Sequence, residues 1–193
     1  PTAHVVPHDI VYAGESSSSK RARIGKSLAD NGVDAAVITS PASIAWLFNV
    51  RGGDVSRTPL PLGRAFLYAD GQAELFLSPG KIGSELGAHL GNEVSLRSSN
   101  ELERRMAKLH DKRVSLDPAL ASSWFFGALD KAGAKIVRQQ DPCTLPRARK
   151  NSVEIEGSRQ AHRRDGAALS RFLHWFEEHG QTGEVTEIDA AKK

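Results

Sequence analysis

An amide, a fixed cation and a carboxylate fall close together at Asn49, Arg51 and Asp54, with Gly52-Gly53 between the last two. A guanidinium presents a rigid fork of donors that fits carboxylates and backbone carbonyls, and a glycine pair lets the chain bend where side chains would block it. The stretch follows a dense apolar run, Ile44 to Phe48, whose Trp46 and Phe48 can anchor a loop in a core. A polar loop fastened in this way is a good place for recognition. Residue chemistry leaves a plainer reading open, a structural turn in which Arg51 pairs with Asp54.

Other chemistry-bearing residues do not assemble into a site. The histidines at positions 4, 8, 89, 110, 162, 174 and 179 never form the His-Glu-x-x-His pair that puts two imidazoles on one helical face. His174 and His179 are in poor register for shared ligation, and His162 with Asp165 reads as a surface i, i+3 pair. Gly52-Gly53, Gly63 and the glycines at 80, 83, 87 and 91 lack the pattern of a phosphate loop, and no Gly-x-Ser-x-Gly elbow occurs. The single cysteine, Cys143, makes neither an internal disulfide nor a zinc framework. Taken by themselves, the residues hold no convincing catalytic constellation.

The elements that must position the loop follow from apolar spacing. Hydrophobic content of 39% and charged content of 25% over 193 residues bound the chain to one globular domain with an appendage. Ser16 to Ser19 offers caps for a helix over 20–30, and short apolar runs predict strands near 34–39, 62–69, 72–77, 93–96, 113–116 and 134–137. Asp70-Gly71 marks a hairpin turn. Helices are predicted after Pro41, over 81–90, over 101–110, and after Pro118, where Trp124, Phe125 and Leu129 are available for the core. The expected fold is α/β, a mixed six-stranded sheet flanked by helices, followed by a truncated α-helical segment. The expected divisions are an extended leading arm over 1–13, the α/β domain over 14–140, a proline-bearing linker over 141–151, and helices over 152–193. Ala161, Asp165, Ala168, Leu169, Phe172 and Phe176 place a mostly apolar stripe on a helix over about 153–179, roughly 40 Å long. Val185-Thr186-Glu187 starts a further helix that runs into Lys193, a sign that the chain is cut within a domain.

Partners are bounded by charge. With 26 basic against 23 acidic residues the net charge is only +3, and the basic residues from Arg147 to Arg164 are interleaved with Glu154 and Glu156 and lack aromatic neighbours for stacking. Nucleic acid is therefore not an expected partner. No apolar run approaches the roughly 20 residues of a membrane span, and the start is unlike a signal peptide, so no membrane role and a cytoplasmic location are expected.

Three stretches carry a family resemblance. Trp46-Leu47-Phe48-Asn49-Val50-Arg51-Gly52-Gly53-Asp54-Val55, with Thr58-Pro59 behind it, resembles the Trp-Leu-Asn-Arg-Gly-x-Asp-x-Pro stretch in the middle domain of the three-domain Xaa-Pro aminopeptidases, within the creatinase and prolidase superfamily. Tyr12-Ala13-Gly14-Glu15-Ser16 with Lys20 is similar to the start of that domain, and Ala148 to Ala168, with Trp175 and Val185-Thr186-Glu187, resembles the opening helices of the catalytic pita-bread domain. The resemblance implies a creatinase-type accessory domain of an enzyme that releases the N-terminal residue from peptides with proline second. It also implies two divalent metal ions, usually manganese, held by ligands that would lie beyond Lys193, so no metal-ligating or catalytic residue is expected in this chain and the chain alone is expected to be inactive. Asn49, Arg51 and Asp54 are then expected to line the substrate cleft, with a peptide as partner and a homodimer left open. The competing expectation is a stand-alone interaction or oligomerisation module whose apolar helix face recruits a partner.

Overall fold

Short apolar runs bounded by caps become short strands and helices in the computed structural model, which describes residues 3–193. Positions 1 and 2 of the expected leading arm lie outside the described residues. In chain order the first part holds β1 (Val6–Pro7), α1 (Ile10–Ala13), α2 (Ser17–Asp30), β2 (Ala35–Ile38), α3 (Pro41–Leu47), β3 (Val50–Arg51), β4 (Arg64–Tyr68), β5 (Ala73–Leu77), α4 (Ser84–Leu90) and β6 (Val94–Ser98). It continues with α5 (Leu102–Met106), β7 (Arg113–Leu116), α6 (Ser123–Lys131), β8 (Lys135–Arg138) and α7 (Thr144–Ala148). After Lys150 the chain divides, and a second unit holds α8 (Ser152–His179) and α9 (Glu187–Lys192).

Six strands form one sheet in the order β6-β5-β4-β2-β7-β8. Only β4 runs against the rest, antiparallel to both β2 and β5, while the other pairings are parallel. The mixed sheet is thus the expected one. Its reversal comes from the Asp70-Gly71 turn, where Gly71 takes a φ of 85° and the Asp70 carboxylate accepts from the Gln72 N–H, a conformation open to glycine at little steric cost. Strand β2, Ala-Ala-Val-Ile, is buried throughout because helices cover both faces of the sheet. Period-two geometry sends Ala36, Ile38, Ala65, Leu67, Leu75 and Leu77 to one face, against α2, α3 and α4. Val37, Phe66, Phe76 and Val114 go to the other, against Met106, Phe125 and Leu129.

Four local expectations change. The leading arm is not merely extended: Val6 and Pro7 pair antiparallel with Arg51 and Val50, and α1 follows. A two-residue pairing is too short to show periodicity, yet Val5 beside it is 2% exposed. The helix expected from position 81 begins at Ser84, because Pro79 nucleates a separate 3-10 turn over Pro79–Lys81. The charged helix over 101–110 shortens to α5 between 3-10 turns. Trp124 stays 47% exposed while Phe125 and Leu129 enter the core.

In the second unit, the Asn151 side chain accepts from the Glu154 N–H and the Glu154 carboxylate accepts from the Asn151 N–H, so α8 starts on a reciprocal cap. No residue of the helix is buried, and Leu169, Leu173 and Phe176 are exposed. His162 bonds the Ser158 carbonyl at 2.8 Å rather than Asp165. Thr186 and Asp189 cap α9 in the same reciprocal way as Asn151 and Glu154 cap α8.

Candidate functional site

The loop that carries Asn49, Arg51 and Asp54 is held by the helix before it. Ser40 caps α3, Pro41 occupies its first turn, and Ile44, Ala45 and Leu47 are buried, so Trp46 and Phe48 are fixed in the core as the run ends. Asn49 then turns the chain with a φ of 49°. The left-handed region is costly for most side chains and least so for Asn, Asp and Gly.

Asn49 is 4% exposed and its amide is engaged. Its Nδ2 donates to the Glu15 carbonyl at 2.8 Å, and its Oδ1 accepts from the Lys20 ammonium at 2.7 Å. Lys20, itself buried, also donates to the Trp46 carbonyl and lies 4.6 Å from the centre of the Trp46 ring. The Asn49 carbonyl accepts from the His8 N–H and lies 2.8 Å from His89 Nε2. Arg51, in β3, is half-buried, and its Nη1 donates to the Val50 carbonyl at 2.9 Å. At Gly52 a Cβ would sit 2.9 Å from Pro61, so the close return of the loop requires glycine.

The Asp54 carboxylate pairs with Lys81 at 2.5 Å and accepts from the Leu62 N–H at 2.7 Å. Lys81 donates onward to the Leu62 carbonyl, and the two charged side chains are 3% exposed or less. Burial pushes the Asp54 carboxyl up, but the ammonium and the N–H outweigh it and hold the carboxyl below its ordinary value. The carboxylate that sequence spacing offered to Arg51 is therefore taken by a lysine far along the chain.

Of the three expected residues, Asn49 borders a cleft of about 660 Å³ that is also lined by His8, Ser16, Arg21, His89 and Glu93. Arg21 is held there by the Gly71 carbonyl and Glu93. The hold of Lys20, Lys81 and His89 on the loop has no signal in the residues around it, because each acts across a long separation in the chain. Lys20 alone left a trace, in the Tyr12–Lys20 stretch. Among the described residues no three His, Cys, Asp or Glu side chains come together in a group that could hold a metal ion, and no helix is long and apolar enough to cross a membrane. The two metal ions implied by the resemblance thus find no ligand set here. The loop is a rigid turn whose amide and carboxylate are held by Lys20 and Lys81.

Comparison with known proteins gives a consistent picture. The creatinase/prolidase N-terminal domain family matches residues 1–154. Across its full length the chain is 31% identical to a probable Xaa-Pro aminopeptidase P of Leptosphaeria maculans, and across 98% of its length 30% identical to aminopeptidase P1 of Arabidopsis thaliana. It spans 34% of each of these relatives, about a third of their length. Among solved structures, the X-prolyl aminopeptidase of Caenorhabditis elegans, described as a cytosolic enzyme with a di-nuclear active site, superposes with a TM-score of 0.87 at 26% identity over 98% of this chain and 32% of that one.

Proposed function

The chain belongs to the creatinase/prolidase N-terminal domain family, and on that premise we propose that it is the accessory, non-catalytic part of a cytoplasmic, metal-dependent Xaa-Pro aminopeptidase. Such an enzyme releases the N-terminal residue from peptides with proline second. The observation that carries this reading is the likeness, over 98% of the chain, to an X-prolyl aminopeptidase. Two divalent metal ions, manganese by the family resemblance, would supply the hydrolytic chemistry. Among the described residues no three candidate ligands come together for them, and on this reading the chain's part is to bind and orient. Asp54 fits a non-catalytic part: a carboxylate held below its ordinary value by Lys81 is a poor proton acceptor near neutral pH, whereas a general base works best with a pKa near the working pH.

By the same proposal the loop of Asn49, Arg51 and Asp54 borders the peptide cleft of the complete enzyme. Asn49 and Asp54 hold its shape, and the Arg51 guanidinium orients peptide carbonyls or a terminal carboxylate. Two experiments test this. The 193-residue chain, assayed with added manganese on a peptide with proline second, is expected to release nothing, and turnover would overturn the accessory role. A chimera in which this chain replaces the matching third of the Caenorhabditis elegans enzyme is expected to cleave such peptides, and Arg51→Ala in it to raise KM about tenfold. A folded but inert chimera counts against the family role. Unchanged kinetics with a lower Tm in the Arg51→Ala form would make Arg51 only a fastener of its loop.

A further inference from the structure

We propose that a second crevice, at the end of the sheet where β5 and β6 finish and β4 begins, binds an organic anion consisting of a single carboxylate on an apolar body. The crevice measures about 450 Å³ and is lined by Arg64, Phe76, Ser78, Ser122, Trp124 and Phe125, among others. Its volume falls within the about 300–1,000 Å³ of small-molecule sites, and the carboxyl ends of strands in open α/β sheets are where ligands gather.

Arg64 sets the charge. It is half-buried at the start of β4, donates to the Gly63 carbonyl at 2.6 Å, and lies 5.8 Å from the centre of the Phe125 ring. Burial pushes it down, and among the described residues no carboxylate pairs with it. That sets it apart from Arg21, Lys81 and Arg105, which face Glu93, Asp54 and Glu74 respectively. Lys81 also lines the crevice but is committed to Asp54, so the field there is that of one uncompensated guanidinium.

The walls set the shape. Trp124, 47% exposed, stands edge-on to Phe125 at 5.0 Å, an aromatic surface left open beside a cation. Ser78 and Ser122 stand at helix starts, yet neither hydroxyl makes the capping bond that residue type ordinarily makes. A guanidinium fork matches the two oxygens of a carboxylate, whereas one cation among aromatic walls leaves a phosphate dianion uncompensated. Aromatic rings complete the fit by covering the ligand's apolar body. This crevice and the cleft that Asn49 borders share no lining residue, although Lys81 here also holds Asp54 of the loop.

Titration calorimetry of the 193-residue chain with 3-phenylpropionate, against neutral 3-phenylpropionamide, tests the proposal. The acid is expected to bind with a Kd of about 1 mM or tighter, and the amide at least about tenfold more weakly. Arg64→Gln is expected to weaken the acid about tenfold, and Trp124→Ala, which alters an exposed ring, to do the same with Tm unchanged. A tetrapeptide ending in phenylalanine, tested as free acid and as C-terminal amide, distinguishes a chain end from a small acid. Selective binding of either free acid upholds the proposal. Equal binding of acid and amide, no binding of any acid at about 10 mM, or wild-type affinity in either folded variant overturns it. If Arg64→Gln does not fold, the Trp124→Ala form and the acid–amide comparison decide.

Discussion

Replacing Asp54 with alanine should strand Lys81. The ammonium is 3% exposed and would keep only the Leu62 carbonyl as a partner, and breaking a buried pair by deleting one member costs about 3–5 kcal/mol. The carboxylate lies just beneath the surface, so the lower end, about 3 kcal/mol, applies. At roughly 2–4 °C per kcal/mol for a unit of this size, Tm should fall by about 6–12 °C. Removing both charges is a different perturbation. Asp54→Leu with Lys81→Met leaves no buried ion, and such replacements are often neutral or stabilising, so the double variant should recover most of the loss. Urea unfolding followed by circular dichroism at pH 7 measures each step. Because Asp54 is held below its ordinary value when folded, its contribution is present above the unfolded pKa, about 4, and is lost as pH falls through the lower folded value. The gap between wild type and Asp54→Ala should therefore narrow in acid. A single variant within about 1 kcal/mol of wild type, or a double variant no more stable than the single, would refute the claim that this pair fastens the loop.

Three further perturbations follow from the same geometry. Asn49→Gly keeps the left-handed turn but removes one acceptor of buried Lys20, and Asn49→Ala loses both; alanine should cost about 1 kcal/mol more than glycine in urea unfolding, and equal losses would mean that backbone strain there is negligible. Gly52→Ala puts a methyl group 2.9 Å from Pro61 and should destabilise by about 1–3 kcal/mol, read as a lowered Tm. Glu74 accepts from Arg105 and from the Tyr68 hydroxyl; burial pushes its carboxyl up, but those partners hold it below its ordinary value. Glu74→Gln should thus be destabilising at pH 7, with the difference shrinking as pH falls through the folded pKa, and a gap that persisted in acid would show that charge is not what Glu74 contributes.

Much of the architecture was legible without coordinates because it rests on local signals. Apolar runs of strand length, the Asp70-Gly71 turn and the Ser16 cap depend on a few neighbouring residues, and the mixed six-stranded sheet follows from them. The helix over 153–179 was legible for the same reason, since its stripe is a property of one segment. Elements without periodicity were not: two residues of β1 carry no pattern, and their pairing with β3 is decided by the partner strand.

The composition of the Asn49–Asp54 loop marked it as shaped and charged from the sequence alone, and so did the family to which the chain belongs. The wiring of that loop belongs to the tertiary structure. Lys20 reaches Asn49, Lys81 reaches Asp54 and His89 reaches the Asn49 carbonyl only because folding brings α2, the turn after β5, and α4 beside the loop that follows α3. A charge buried in a core must find its counter-charge in space, and the nearest one along the chain has no advantage once folding brings a distant one within 3 Å.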